Sequence, residues 1–65
     1  MNRLAEFRKK KGLAQRELAE KLSVSTSTIA MWETGSRRPT LEKASEIALF
    51  FGVRIEDIFL FKKLT

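Results

Sequence analysis

Four consecutive hydroxyl residues, Ser25 to Thr28, stand directly before a short apolar segment that ends at Gly35. Such side chains can donate and accept hydrogen bonds, which suits contact with a polar ligand such as a phosphate or a nucleic-acid base. Inside a helix they compete for backbone hydrogen bonds, so a helix rich in them stabilises itself poorly. Gly35 is nevertheless placed as a C-terminal cap. The stretch therefore predicts a short helix with a hydroxyl-rich start, and Ser25 as its N-cap.

The chain offers little for catalysis or metal binding. Its 65 residues include no Cys, His or Tyr, which excludes disulfides and the usual zinc ligand sets. There is no glycine-rich phosphate loop and no clustered pair of carboxylates. We therefore expect neither an enzyme nor a bound cofactor or metal.

Length and hydropathy predict a single domain over residues 1–65 with no membrane segment. No apolar run approaches the roughly 20 residues that a membrane helix needs. The first six residues lack the apolar region of a signal peptide. The absence of Cys is compatible with a reducing compartment, so we expect a cytoplasmic protein.

The net charge of +5 is distributed unevenly along the chain. Residues 1–41 contain nine Lys and Arg against four Glu, whereas residues 42–65 contain four of each sign. A one-sided basic surface suggests a polyanionic partner, most often a nucleic acid. A generically solvated surface is the alternative that charge alone leaves open.

Hydrophobic periodicity predicts an all-α fold of five short helices around one core, with no sheet. The helices are expected at about Asn2–Lys11, Gln15–Leu22, Ser25 to Gly35, Thr40 to Phe51, and Ile55–Leu60. Asn2, Ala14, Ser25 and Thr40 stand at the expected N-caps, although Ala14 is a weak capping residue. The apolar faces are expected to include Leu4, Phe7, Leu18, Ala19, Leu22, Ile29, Trp32, Leu41, Ala44, Ile47, Ala48, Phe51, Ile55, Ile58 and Phe59.

Only Ser23 and Val24 separate the second and third helices. Two helices joined by so short a turn form a helix-turn-helix layout, in which they cross at roughly 90–120°. Val24 should fill the angle between them. The third helix is then the candidate recognition helix, which lies in the major groove of DNA.

The segment from Asn2 to Phe59 resembles the helix-turn-helix domain of phage repressors and Cro proteins, the Cro/C1-type or XRE family. The resemblance rests on an ordered set of motifs: Arg8, KGLAQ at 11–15, LAEKL at 18–22, the Ile29–Glu33–Gly35 spacing, RRPT at 37–40 and GVRIEDIF at 52–59. It implies a sequence-specific regulator of transcription that binds double-stranded DNA without a cofactor. Repression is favoured, because the chain has almost no room for an effector or polymerase-contact domain.

The resemblance also assigns roles to individual residues. Base contacts are expected from Thr26, Ser27, Ala30 and Met31. Phosphate contacts are expected from Gln15, Arg16, Ser25, Thr28, Arg37 and Arg38. Arg8 and Glu33 match an ion pair that ties the first helix to the end of the third. Ala14 departs from the family, which usually has Ser, Thr or Asn there, and Ala30 and Met31 are apolar where many relatives carry polar readers.

Some of these residues also have plain structural interpretations. Thr26 and Ser27 could be ordinary first-turn residues on a solvated helix. Met31 could fill the core, although its spacing from the inward-facing residues favours exposure. Trp32 is expected in the core rather than against a base. Arg16 could reach the DNA backbone or pair with Glu20 one turn later.

The segment IFLFKKLT, residues 58–65, has more apolar side chains than a fifth helix needs for its own core. An apolar surplus at a chain end suggests a partner surface. We expect residues 60–65 to be a dimerisation tail, with a homodimer interface formed by Phe59, Leu60, Phe61 and Leu64. A two-fold dimer would read a palindromic operator. The tail could be a strand or a helix extension, and Phe61 could instead fold back on its own monomer.

A second hypothesis is an antitoxin-like interaction protein that binds a partner protein and regulates its own operon. The apolar tail would then serve that partner. A second polypeptide that copurifies in fixed ratio from the native host would favour this hypothesis.

Overall fold

The fold was analysed in a computed structural model, which describes residues 2–59. These residues form five α-helices and no strand: α1 Leu4–Lys10, α2 Gln15–Leu22, α3 Thr26–Thr34, α4 Leu41–Phe51 and α5 Ile55–Ile58. The all-α expectation is confirmed, and α2 has the predicted bounds. No helix within this range is long and apolar enough to cross a membrane.

One hydrophobic core collects side chains from all five helices. Its fully buried members are Leu4, Leu18, Leu22, Ile29, Ile47 and Ile58. Trp32 is 5% exposed and belongs to the same cluster, so the expectation that it packs in the core is confirmed. Apolar burial of this extent supplies most of the stability of short helices such as α3.

The first helix begins two residues later than predicted, at Leu4. The side chain of Asn2 still serves the helix start, because its Oδ1 accepts a hydrogen bond from the Leu4 N–H at 2.9 Å. Its Nδ2 donates to the carbonyl oxygen of Trp32 at 2.7 Å. Asn2 therefore also ties the start of α1 to the second half of α3.

Thr40 caps α4 as predicted, since its Oγ1 accepts a hydrogen bond from the Lys43 N–H at 3.1 Å. The prediction that Leu41 lies in the core is wrong, because this side chain is 75% exposed. Leu41 is the first residue of α4 and precedes Ala44, the first residue of the helix to be buried. Leu49 on the same helix is 82% exposed.

Half-buried phenylalanines join α1 to α4 beside the main core. The ring centroids of Phe7 and Phe51 lie 5.9 Å apart, and those of Phe50 and Phe51 lie 5.0 Å apart. The ammonium groups of Lys10 and Lys11 lie over the Phe7 and Phe50 rings at 5.9 Å and 5.2 Å. Cation–π attraction therefore links these two lysines to the phenylalanine rings.

The last helix is short and is tied to the start of the chain. The backbone N–H of Arg3 donates to the carbonyl oxygen of Ile58 at 2.8 Å. At the start of α5, Asp57 Oδ2 accepts the Arg54 N–H at 2.9 Å. This backbone hydrogen bond, aided by the Arg54 guanidinium, holds the pKa of the Asp57 carboxyl below its usual value. The prediction that α5 extends to Leu60 is wrong: the helix ends at Ile58, because Phe59 leaves the helical conformation with φ −102° and ψ 69°.

Candidate nucleic-acid interface

The second and third helices and the turn between them form one packed unit. The Val24 N–H donates to the carbonyl oxygen of Ala19 at 3.0 Å, which closes the end of α2. The Val24 side chain is half-buried and packs against the core cluster, in the position predicted for it. α3 is thereby fixed relative to α2, as a helix-turn-helix motif requires.

The turn contains a backbone conformation that the sequence pattern did not reveal. Ser23 has φ 57° and ψ 44°, the left-handed conformation, at the C-cap of α2. It is the one residue other than glycine with positive φ between residues 2 and 59. Glycine is the usual residue in this conformation, because any side chain adds a steric penalty.

Three of the four hydroxyl groups at the start of α3 are linked to one another. Ser25 Oγ caps the helix by accepting the Thr28 N–H at 3.1 Å, so the predicted N-cap is confirmed. The same oxygen lies 2.8 Å from Thr28 Oγ1 and 3.1 Å from Ser27 Oγ. Both neighbours are thus held beside the exposed N–H groups at the helix start, a place where anions bind well.

The residues assigned to base contacts lie along α3. Thr26 and Ser27 are exposed in its first turn, whereas Ala30 and Met31 are half-buried further along. Met31 is thus less exposed than its spacing suggested. Its carbonyl oxygen accepts hydrogen bonds from Thr34 Oγ1 and Ser36 Oγ, at 3.2 Å and 3.3 Å.

The two residues at the start of α2 that were assigned to phosphate differ in how they are held. Gln15 is half-buried, and its Nε2 donates to Glu33 Oε1 at 2.9 Å. Arg16 is exposed, and its Nε lies 4.0 Å from Glu20 Oε2 in the pairing foreseen along the helix. A pair so long and so exposed holds Arg16 weakly. Arg16 is therefore held less firmly than Gln15.

Arg8 and Glu33 form an ion pair between α1 and α3. Arg8 Nε donates to Glu33 Oε2 at 2.6 Å, and Nη2 donates to Oε1 at 3.3 Å. The two side chains are only 11% and 8% exposed. Arg8 Nη1 also donates to the carbonyl oxygen of Leu13 at 2.7 Å, in the loop before α2. One guanidinium therefore joins α1, this loop and α3.

Arg37 and Arg38 are exposed in the loop that follows α3. The Arg37 N–H donates to the carbonyl oxygen of Met31 at 3.3 Å. This hydrogen bond holds the start of the loop against the last turn of α3. Basic side chains placed beside a recognition helix suit contact with a DNA backbone.

The predicted dimer interface falls only partly within the described residues. Phe59 is half-buried and packs against the core of its own chain. Leu60, Phe61 and Leu64 lie outside the described residues. Among residues 2–59 no group of three or more metal-ligating side chains is found.

Comparison with known proteins assigns the family. The helix-turn-helix family model matches residues 4–58, which include all five helices. The chain therefore belongs to the helix-turn-helix family of Cro/C1 type, and the resemblance drawn from its motifs is confirmed.

Relatives of the chain are named as regulators of transcription. An uncharacterized HTH-type transcriptional regulator of Methanocaldococcus jannaschii is 48% identical over 61 residues, which cover 94% of this chain and 92% of the relative. The HTH-type transcriptional activator BcrR of Enterococcus faecalis is 39% identical over 86% of this chain but only 28% of its own length. The cryptic phage CTXphi repressor RstR of Vibrio cholerae is 30% identical over 88% of this chain and 51% of its own.

Family and relatives together define the class of the protein. It is a DNA-binding regulator of transcription rather than an enzyme. In proteins with a helix-turn-helix motif, the second helix of that motif lies in the major groove of DNA.

Proposed function

We propose that the protein is a sequence-specific transcriptional repressor in the cytoplasm that binds a palindromic operator as a homodimer. The observation that carries the proposal is the hydroxyl-rich start of α3, which is exposed although the same helix is anchored in the core by Ile29 and Trp32. A helix that enters the major groove needs small polar side chains at its leading end and a firm attachment behind them.

We propose two classes of DNA contact: side chains that contact base edges and side chains that contact phosphates. Thr26, Ser27, Ala30 and Met31 contact base edges in the groove. Thymine methyl groups suit the two apolar residues, and the hydroxyls can donate to or accept from other base edges. The phosphates are contacted by six side chains: Gln15, Arg16, Ser25, Thr28, Arg37 and Arg38. Such contacts fix the position of the protein on the DNA but do not distinguish one base sequence from another.

The homodimer is supported by apolar surface that the monomer leaves exposed. Leu41 and Leu49 are the large hydrophobic side chains classed as exposed among residues 2–59, and both lie on α4. In the sequence, the apolar surplus of Leu60, Phe61 and Leu64 follows Phe59 directly. We propose a second copy of this chain as the partner of these tail residues, because a two-fold dimer doubles the contacts with a palindromic site.

Repression is proposed because occupation of an operator needs nothing beyond the DNA-binding domain. One relative, RstR, is named a repressor and shares with this chain about half of its own length. BcrR, named an activator, is matched over 28% of its length. Simple occlusion of a promoter is therefore the mechanism that needs the fewest additional parts.

Selection of bound sites from random duplex DNA tests the proposal. The expected product is a two-fold symmetric site whose half-sites lie about one turn of DNA, roughly 34 Å, apart. On that site, about four phosphates per protomer predict that log K falls with log salt at a slope near −7. A slope near zero, or selected DNA without a common sequence, would contradict specific binding. If the selected symmetric site lay within a promoter and transcription from it increased with the amount of the protein, repression would be contradicted. Specific DNA binding would not be contradicted by that result.

A further inference from the structure

We propose that Glu33 is a positioning residue for the backbone contact of Gln15, and that Arg8 makes this role possible. The inference rests on the proposed function and deepens it, because it explains how the Gln15 side chain is oriented for its phosphate contact in the free protein. It is carried by the hydrogen bond from Gln15 Nε2 to Glu33 Oε1, 2.9 Å long, between residues 18 positions apart.

The geometry leaves Gln15 able to bind while it is held. The amide nitrogen of a glutamine carries two N–H groups. One donates to Glu33, and no second acceptor for this amide is found within residues 2–59. The second N–H is thus available to a phosphate oxygen, and the amide plane is already fixed by the first. A side chain ordered in advance loses less conformational entropy when it binds.

The carboxylate of Glu33 can hold the Gln15 amide close to DNA only because its negative charge is compensated by Arg8. An unpaired carboxylate beside the phosphates would repel them. Arg8 donates two hydrogen bonds to this carboxylate, at 2.6 Å and 3.3 Å, and both side chains are almost fully buried. The neutralised pair therefore offers Gln15 a fixed acceptor with little net repulsion of the backbone.

A double-mutant cycle measured as DNA affinity tests the role of Glu33. The probes are two labelled duplexes, the site selected by the wild-type protein and a duplex of unrelated sequence, both followed by fluorescence anisotropy. Gln15→Ala should weaken both complexes about fivefold per protomer, the loss of one net hydrogen bond. Arg8→Met with Glu33→Leu should weaken them by a smaller factor, and adding Gln15→Ala to that protein should cost less affinity than Gln15→Ala costs the wild type.

The substitutions were chosen so that folding and positioning can be separated. Exchange of a buried ion pair for apolar side chains often leaves stability unchanged or improved, and urea unfolding checks this directly. Arg8→Met with Glu33→Gln provides rescue, because the amide oxygen can still accept from Gln15 and no guanidinium is left unpaired, and it should retain more affinity than Arg8→Met with Glu33→Leu. Arg3→Gln with Glu6→Gln removes an exposed ion pair from α1 and should leave both the affinity and the cycle unchanged.

The nuclear magnetic resonance signals of the Gln15 side-chain amide give a readout that does not depend on DNA. In the wild-type protein these signals should be shifted, and the amide protons should exchange slowly with solvent. In the protein with Arg8→Met and Glu33→Leu they should resemble the signals of a free glutamine amide. If the folded protein with Arg8→Met and Glu33→Leu bound DNA with wild-type affinity, or if the losses in the cycle were additive, the role of Glu33 would be overturned. The proposed function would not be affected by either result, because the wild-type protein would still bind DNA. A wild-type protein that selected no common site and did not bind the unrelated duplex would instead overturn the proposed function.

Discussion

The ammonium group of Lys43 on α4 donates a hydrogen bond to the carbonyl oxygen of Leu22, the last residue of α2, at 2.7 Å. A cation at this position meets carbonyl groups that have no partner within their own helix and the negative end of the helix dipole. Lys43 Nζ also lies 3.0 Å from Glu46 Oε1. The contact fixes the end of α2 against α4, outside the recognition helix.

Lys43→Met should therefore lower the free energy of unfolding by about 1 kcal/mol, measured by urea titration. Lys21→Met is the control, because Lys21 is an exposed lysine in the last turn of the same helix. It should lose only a few tenths of a kcal/mol from the dipole interaction. Equal losses in the two variants would show that general charge, and not the hydrogen bond, stabilises this end of α2.

Glu33→Ala should be among the most destabilising single substitutions in the protein. It leaves the buried guanidinium of Arg8 without its carboxylate, at a cost of about 3–5 kcal/mol. Thermal unfolding followed by circular dichroism measures the effect. Glu6→Ala breaks the exposed Arg3–Glu6 pair and should change the melting temperature far less. A melting temperature for Glu33→Ala within a degree or two of the wild type would contradict the importance of burial.

Ser23→Gly should stabilise the domain. Glycine adopts the left-handed conformation at this position without steric penalty, so we expect a gain of about 0.5–1 kcal/mol. The melting temperature should rise by about 4–8 °C per kcal/mol in a domain of this size. Ser45→Gly is the matched control, because Ser45 is exposed and lies in the middle of α4. There the same substitution should destabilise the domain. A loss of stability in both variants would mean that the Ser23 side chain matters more than its backbone conformation.

Thr26→Ala should relax base specificity without a comparable effect on binding to unrelated DNA. If its hydroxyl reads a base directly, the loss is about 1–3 kcal/mol at one or two positions of the site. Site selection repeated with the variant measures this position by position. Thr34→Ala removes an exposed hydroxyl from the other end of α3 and should leave the selected site unchanged. An unaltered profile for Thr26→Ala would remove Thr26 from the base contacts.

Phe61→Glu should convert the proposed homodimer into a folded monomer that binds a half-site weakly. A charge at an apolar interface must be desolvated without a partner, which opposes association. Sedimentation at micromolar concentration, with circular dichroism to check folding, measures the change. Thr65→Glu adds the same charge to the tail and should leave the dimer intact. A dimer that survives Phe61→Glu but not Leu49→Glu would place the interface on α4.

Local features of this fold were predictable from residue types, and features that depend on tertiary contacts were not. The sequence predicts Ser25 and Thr40 as caps because a capping hydroxyl acts within three residues of its own position. The exposure of Leu41 is not predictable in this way, because periodicity gives the face of a helix but not how far the core extends along it. The left-handed conformation of Ser23 has no signal in the sequence, because glycine is the residue expected there.

The candidate site shows the same division. The hydroxyl cluster on α3 and its anchors, Ile29 and Trp32, follow from spacing within one helix. The hydrogen bond between Gln15 and Glu33 joins residues from two helices, and no local pattern indicates it. The hydrogen bond depends on the crossing of α2 and α3 in three dimensions, which brings the start of α2 to the end of α3.

The hydrogen bond between Arg3 and Ile58 has a consequence for how this domain can be combined with others. Because it holds the two ends of the described chain side by side, a polypeptide attached before residue 2 would leave from the same region as one attached after residue 59. The order of domains along a fused chain would then matter little to their arrangement in space.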